Sequence, residues 1–174
     1  MLAFETARLR LRQQTLDDAA FLITVMNDPD FLRHIGDRGV RTLDDARAYL
    51  TAGALASYAE HGFGLWLVEH KADGAALGLC GLVKRPTLAD VDVGYALLPA
   101  FRGAGYAREA VAGTLAHART VYGLRRLIAV VNPDNAPSRK LLEVLGFGFE
   151  RMVRMAPEEP EILLLARIAP AAEA

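Results

Sequence analysis

The sequence predicts an α/β fold: a mixed, largely antiparallel central sheet of about seven strands with helices on both faces. Three observations carry that expectation. Two-residue alternation and helical periodicity trade places along the chain, three apolar strand-like runs follow one another closely, and a long helical stretch then separates them from another buried strand. At 174 residues, 52% of them hydrophobic, the chain suits one domain with a substantial core, expected over residues 1–168.

The elements follow in order. From Arg8 to Gln14, Leu9 and Leu11 alternate with Arg8, Arg10 and Arg12, the period of a half-buried strand. At Thr15 the run "TLDD" sets an N-cap residue before an acid three places on, and Leu16, Ala19, Ala20, Ile23 and Met26 continue at helical spacing until Asn27-Asp28-Pro29. Asp30 to Arg41, with Gly36 and Gly39, reads as loop. A second "TLDD" at Thr42 opens a helical stretch to about Glu60, closed by Gly62. Then come "FGLWLVEH", "LGLCGLVK" and "VDVGYALL", the first two joined by the turn Lys71 to Gly74, which reads as an antiparallel meander. A helix from about Gly105 to Tyr122, a buried strand Arg126 to Val131, a helix from about Ala136 to Leu145 and strands Phe147 to Met155 and Glu161 to Ile168 complete the order β-α-α-β-β-β-α-β-α-β-β. The low-complexity tail 169–174 is expected to fray.

Charge narrows the function. Twenty basic against 21 acidic residues leave a formal charge of -1, so no global field draws the chain to nucleic acid or an anionic membrane. Any anion site must be local. The N-terminal stretch lacks a signal-peptide h-region and no apolar run is long enough to span a bilayer, which predicts a cytoplasmic protein. Cys80 stands alone in an apolar run and reads as a buried small hydrophobe, unsuited to a covalent relay. The four histidines have no metal-ligand spacing, so no metal is expected, and Trp66 between Leu65 and Leu67 reads as core.

One local anion site suggests itself at "PAFRGAGYAREA". Gly103 and Gly105 lie in a loop that runs straight into a helix, whose first N–H groups lack intrahelical acceptors. Glycines that take positive φ let successive amides curl around one anion, with Arg102 adding a full charge. A plain tight turn is the other reading of this pattern. The third glycine and early βαβ unit of a dinucleotide fold are missing, as is the Gly-Lys-Ser/Thr of a P-loop.

The run "RGAGYA" resembles the Arg/Gln-x-x-Gly-x-Gly/Ala signature of the GCN5-related N-acetyltransferase (GNAT) superfamily, matching at Arg102, Gly105 and Ala107. Two further runs extend the likeness: "TARLRLRQQTLDDAAFL" near the start and "NPDNAPSRKLLEVLGF" near the end are similar to the RimJ/RimL-type subgroup of ribosomal-protein N-terminal acetyltransferases. The resemblance implies acetyl-CoA as cosubstrate, with the amides of Arg102, Gly103, Ala104, Gly105, Tyr106 and Ala107 on its pyrophosphate. It also implies that the strand around Leu97 and Leu98 splays from its neighbour, that its backbone pairs with pantetheine, and that an N–H near Leu98 stabilises the oxyanion. Asn132 and Asn135 are implied CoA contacts, and Lys140 with Arg139 can meet the 3'-phosphate or simply face solvent.

A primary amine must lose its proton before attack. Asp92 stands where the subgroup shows an acid before Gly-Tyr, which marks it as candidate general base or amine-binding group; alternation puts it opposite Val91, Val93, Tyr95 and Leu97, on a face read as a cleft. A solvated strand carboxylate is the other reading, and Glu69 competes for the role. Many superfamily members protonate the thiolate with a tyrosine, but Leu142 stands at that place, so Ser138 becomes the candidate acid or sulfur hydrogen-bond donor. The acceptor is implied to be a protein N-terminus or a small-molecule amine, shaped by 27–62 and the turn Ala156 to Glu161. There Asp28, Asp30, Glu158, Glu159 and Glu161 can attract a cation or merely line the surface. The protein is expected to act as monomer or homodimer. A non-catalytic acyl-CoA-binding module of the same fold is the alternative.

Overall fold

The computed structural model describes residues 1–169. The alternating arginines and leucines do form a strand, β2 (Leu9–Arg12), with Leu9 and Leu11 fully buried. It pairs antiparallel with an extra strand, β1 (Leu2–Glu5), so the sheet has eight strands where about seven were expected. β1 was invisible in the sequence because its stretch, Leu-Ala-Phe-Glu, has no two-residue alternation.

Both "TLDD" runs start helical segments. At the second, the full capping box forms: Asp45 N–H donates to Thr42 Oγ1 at 3.1 Å and Thr42 N–H to Asp45 Oδ2 at 2.8 Å. At the first only half forms, with Thr15 N–H on Asp18 Oδ2 at 2.7 Å and a 3₁₀ turn, Leu16–Asp18, before helix α1 (Ala19–Met26). The expected loop contains a helix, α2 (Pro29–His34): Pro29 begins it rather than ending its predecessor, because Asp28 caps it by accepting Phe31 N–H at 3.2 Å. The stretch from Thr42 is helical throughout, but a π segment at Thr51–Leu55 divides α3 (Leu43–Leu50) from α4 (Ala56–His61).

The meander is β3 (Leu65–His70), β4 (Ala76–Lys84) and β5 (Val91–Leu97), all antiparallel neighbours. Helix α5 (Tyr106–Tyr122) crosses back to β6 (Arg126–Val131), which runs parallel to β5; α6 (Ala136–Val144), β7 (Gly148–Val153) and β8 (Ile162–Ile168) follow. The sheet order is β1-β2-β3-β4-β5-β6-β8-β7. Ala169 belongs to this frame, since its N–H donates to Arg125 O at 2.7 Å and the residue is buried; the rest of the tail expected to fray, 170–174, lies outside the described residues.

The two faces of the sheet are covered separately. Trp66, Val68, Leu77, Cys80, Leu82 and Val93 pack on Ala110, Val111, Leu115 and Ala118 of α5 and Leu142 of α6. Leu67 and Leu79 point the other way, onto Leu22, Val25 and Met26 of α1 and Ala46 and Leu50 of α3. Burial of each Leu, Val or Met contributes about 1.5–3 kcal/mol against about 1 kcal/mol for a cap, so the apolar stripes hold the helices and the caps set their ends.

Candidate active site

The site begins where β5 and β6 part. β5 is paired with β4 from Val91 to Leu97, but it meets β6 at a single register position, Asp92 opposite Ile128. Beyond that point the two strands diverge, which is the splay expected near Leu97 and Leu98. Leu98 N–H is occupied, donating to Leu77 O at 2.9 Å. The ladder's alternation therefore turns the main-chain groups of Leu97 away from β4 and toward the opening. The N–H aimed into the gap is that of Leu97, next to Leu98, near which an oxyanion donor was expected.

Next to the opening lies the glycine loop. Gly103 and Gly105 have φ of +77° and +81°, left-handed values that favour glycine, and nothing lies within 4 Å of where a Cβ on Gly103 would project. Glu109 is the first α5 residue whose N–H finds a helical acceptor, Gly105 O at 3.1 Å, so the N–H groups of Tyr106, Ala107 and Arg108 are left at the helix end. Arg102 N–H is used by Pro99 O at 3.2 Å, so the amide run starts at Gly103 and not at Arg102. This is a concave donor set of the kind that takes a phosphate.

The cation at that loop is not the one the sequence suggested. Arg102 turns away: its Nε donates to Leu97 O at 2.9 Å, one terminal nitrogen meets Asp28 Oδ2 at 2.5 Å and the other pairs with Asp30. Asp28 is thus paired and buried, while Asp30 shares the same guanidinium and stays 57% exposed. Arg8 takes the place, donating to Ala104 O at 3.0 Å and lying 4.4 Å over the Tyr106 ring. Its Nε is held by Glu109 Oε2 at 2.6 Å. Burial raises the Glu109 carboxyl, but hydrogen bonds from Thr6 and Arg8 outweigh it and hold the group below its ordinary value.

On the other side of the fork, Asn135 caps α6 by accepting Ser138 N–H at Oδ1, 3.2 Å. Ser138 is therefore fixed in the first turn, and its Oγ accepts the Tyr95 hydroxyl at 2.9 Å. Alternation puts Tyr95 on the core face, and a tyrosine hydroxyl out of solvent needs a partner, which is the signal for this contact in the sequence. Burial raises the Tyr95 pKa, keeping the hydroxyl protonated. Asn132 follows β6, its carbonyl accepting Asn135 N–H at 2.9 Å. Lys140 and Arg139 are exposed, with Arg139 on Pro133 O at 3.1 Å. Leu142 is core.

Neither candidate base is open. Asp92 is 1% exposed: Arg85 Nε donates to its Oδ2 at 2.6 Å, and Val130 N–H reaches its Oδ1 at 3.4 Å where the ladder ends. That face is no cleft at Asp92, contrary to expectation. Burial pushes its pKa up to about 6 despite Arg85. Glu69 accepts Arg12 Nε at 2.7 Å, and Arg12 also clasps Asp18. Asp92 and Ser138 share no contact; the structure brings Ser138 to Tyr95 instead. Cys80 is fully buried, beside Thr114 Oγ1 at 3.4 Å, and burial pushes its thiol up to about 12.

Residues 8–148 match the family model for the acetyltransferase (GNAT) domain. The chain belongs to the GNAT family. Among relatives of this GNAT chain are YoaA of Bacillus subtilis, described as an uncharacterized N-acetyltransferase and 29% identical over 86% of this chain and 85% of its own, and the similarly described p20 of Bacillus licheniformis, 28% identical over 86% and 84%. Solved structures agree in fold. A GNAT-family acetyltransferase from Bacillus anthracis superposes with a TM-score of 0.79 at 23% identity, covering 97% of this chain and 98% of that one. Spermidine N-acetyltransferase from Vibrio cholerae, in complex with CoA and spermine, gives 0.77 at 17% identity over 94% and 96%.

In this GNAT chain the fork at Leu97, the loop Gly103 to Ala107 and the cap Asn135 lie at the same end of the sheet. Arg8 and Tyr95 reach the same region through Ala104 O and Ser138 Oγ, partners that were not legible in the sequence. Arg8 sits about 95 residues from the loop in sequence, and only the pairing of β2 into the sheet carries it there.

Proposed function

We propose that this GNAT protein moves the acetyl group of acetyl-CoA directly to a primary amine in a ternary complex. The observation that carries the reading is the β5–β6 opening with Leu97 N–H turned into it, set beside the open amides of Gly103 to Ala107. The residues present fit the cosubstrate: a loop with two left-handed glycines at a helix N-terminus suits a diphosphate, and an unpaired strand edge suits the amides of pantetheine. Arg8, ion-paired with Glu109, sets a guanidinium beside the loop, while Asn132, Asn135 and Lys140 border the same region.

In the reaction the amine nitrogen bonds to the carbonyl carbon, the carbon–sulfur bond breaks, and the thiolate takes a proton. Leu97 N–H stabilises the oxyanion. Ser138 faces the sulfur as acid or hydrogen-bond donor; because its Oγ already accepts from Tyr95, its own O–H is left for another acceptor. A thiol pKa of about 8.5 makes this help useful and not obligatory. Asp92, buried and ion-paired, takes the amine's proton only by way of water, with Glu69 as its rival. The buried Cys80 thiol supports direct transfer over a covalent relay.

The three sequence runs support a RimJ/RimL-like subgroup and an acceptor that is a protein N-terminus or a small amine. Among the described residues no helix is long and apolar enough to cross a membrane. A cytoplasmic monomer or homodimer is the corresponding proposal. Calorimetry with CoA, followed by CoA release across N-terminal peptides, polyamines and aminoglycosides, tests the function. No heat with CoA overturns it. The burial of both candidate bases favours one second reading, a non-catalytic acyl-CoA-binding module; tight CoA binding with no turnover by any amine would select it.

A further inference from the structure

Helix α2 is in contact with both sides of the fork. At its start, Asp28 and Asp30 are held by Arg102, which follows β5 and also donates to Leu97 O at 2.9 Å. At its end, Arg33 Nη2 donates to Asp134 Oδ2 at 3.0 Å, and His34 Nδ1 lies 3.2 Å from Oδ1, out of line for a hydrogen bond. Asp134 belongs to the loop after β6, one residue before the cap of α6. Since β5 and β6 pair only at Asp92, the helix joins two chain ends that have moved apart. Six residues of helix span about 9 Å, close to the roughly 9.6 Å between two strands with one extended chain admitted between them.

The two attachments differ in strength. Asp28 has a side chain only 6% exposed, so removing Arg102 leaves a buried carboxylate without its cation. Arg33 and Asp134 are 64% and 50% exposed, and such a pair shifts an equilibrium by no more than about fivefold.

We propose that α2 is a strap across the β5–β6 opening, anchored by Arg102 and reversibly clasped by Asp134, and that these two are positioning residues governing entry to the slot. The strap rests on the acetyl-CoA reading only in naming the slot's ligand. A ligand contact changes affinity; a strap changes the rates of entry and exit together while affinity stays nearly constant.

The test uses CoA on the immobilised full chain, read by surface plasmon resonance, beside amide exchange of Leu32 to Ile35 in solution. In Asp134→Asn, association and dissociation should both quicken by about two- to fivefold with Kd within about twofold. In Arg102→Gln, or in Asp30→Asn should that variant fail to fold, exchange in α2 should rise. Unchanged rates and unchanged exchange in Asp134→Asn overturn the clasp. A CoA Kd weakened beyond about tenfold in Arg102→Gln with α2 exchange unchanged makes Arg102 a phosphate contact and overturns the anchor. Should the unaltered chain bind no CoA, the acetyl-CoA reading falls, and α2 exchange in the variants decides the strap alone: faster supports it, unchanged overturns it.

Discussion

The Tyr95 hydroxyl donates to Ser138 Oγ at 2.9 Å, tying the middle of β5 to the first turn of α6 across the fork. Tyr95→Phe removes the donor and leaves an apolar ring in an apolar place, so stability should change little. Ser138→Ala strands the half-buried hydroxyl and should cost about 1–3 kcal/mol in a urea titration. If the two act as one unit on the sulfur, each lowers CoA release about tenfold with CoA affinity retained, and the double variant is no worse than Ser138→Ala alone.

Asp92 makes stability depend on pH in an unusual direction. Its folded pKa, about 6, is raised above the ordinary 3.8, so between those values the folded state binds more protons than the unfolded one. Stability from this group is therefore greatest at low pH and declines as pH rises through 6, by on the order of 2–3 kcal/mol. Asp92→Asn should flatten that decline, leaving the urea midpoint higher than the parent's at pH 8 and little changed at pH 4.5. A parent midpoint that rises from pH 4.5 to 7 while the variant's stays level would refute the assignment.

Gly103→Ala and Gly105→Ala separate backbone strain from ligand exclusion. Both residues sit at positive φ, so each substitution should destabilise the free protein by about 1–2 kcal/mol. The Cβ on Gly103 meets nothing within 4 Å, whereas on Gly105 it approaches Arg8 Nη2 at 3.4 Å. A CoA affinity loss of about tenfold or more in Gly103→Ala would then report a ligand over the loop, since no protein atom is disturbed there. Calorimetry and a thermal melt read the two effects separately.

Cys80→Ala should cost about 1–2 kcal/mol through the small cavity it leaves against Thr114, and leave turnover per folded molecule intact. Intact mass after incubation with acetyl-CoA should show no acetylated protein at this position. A turnover that vanishes in this variant would restore the covalent route.

Much of the architecture was legible because periodicity reports burial directly. Leu9 and Leu11, the meander and the stripe on α5 each carry their own pattern, and each pattern found its element. α2 and β1 carry none: α2 depends on Asp28, whose capping role is inseparable from its ion pair with Arg102, and β1 forms because β2 offers it an edge.

The sequence by itself determined every element except α2 and β1, together with the three GNAT-like runs and the glycine loop, since backbone preferences, apolar spacing and caps act within a few residues. Tertiary structure alone decided which charges are free and where each goes. Arg102 looked like the phosphate's partner and is held by Asp28 and Asp30; Arg8 looked like a strand's polar edge and stands over the loop; Asp92 looked open to a cleft and is buried with Arg85. A side chain's charge is local to the sequence, but its neutralisation depends on groups brought near by the packing of distant segments, and one sequence read alone does not hold those distances.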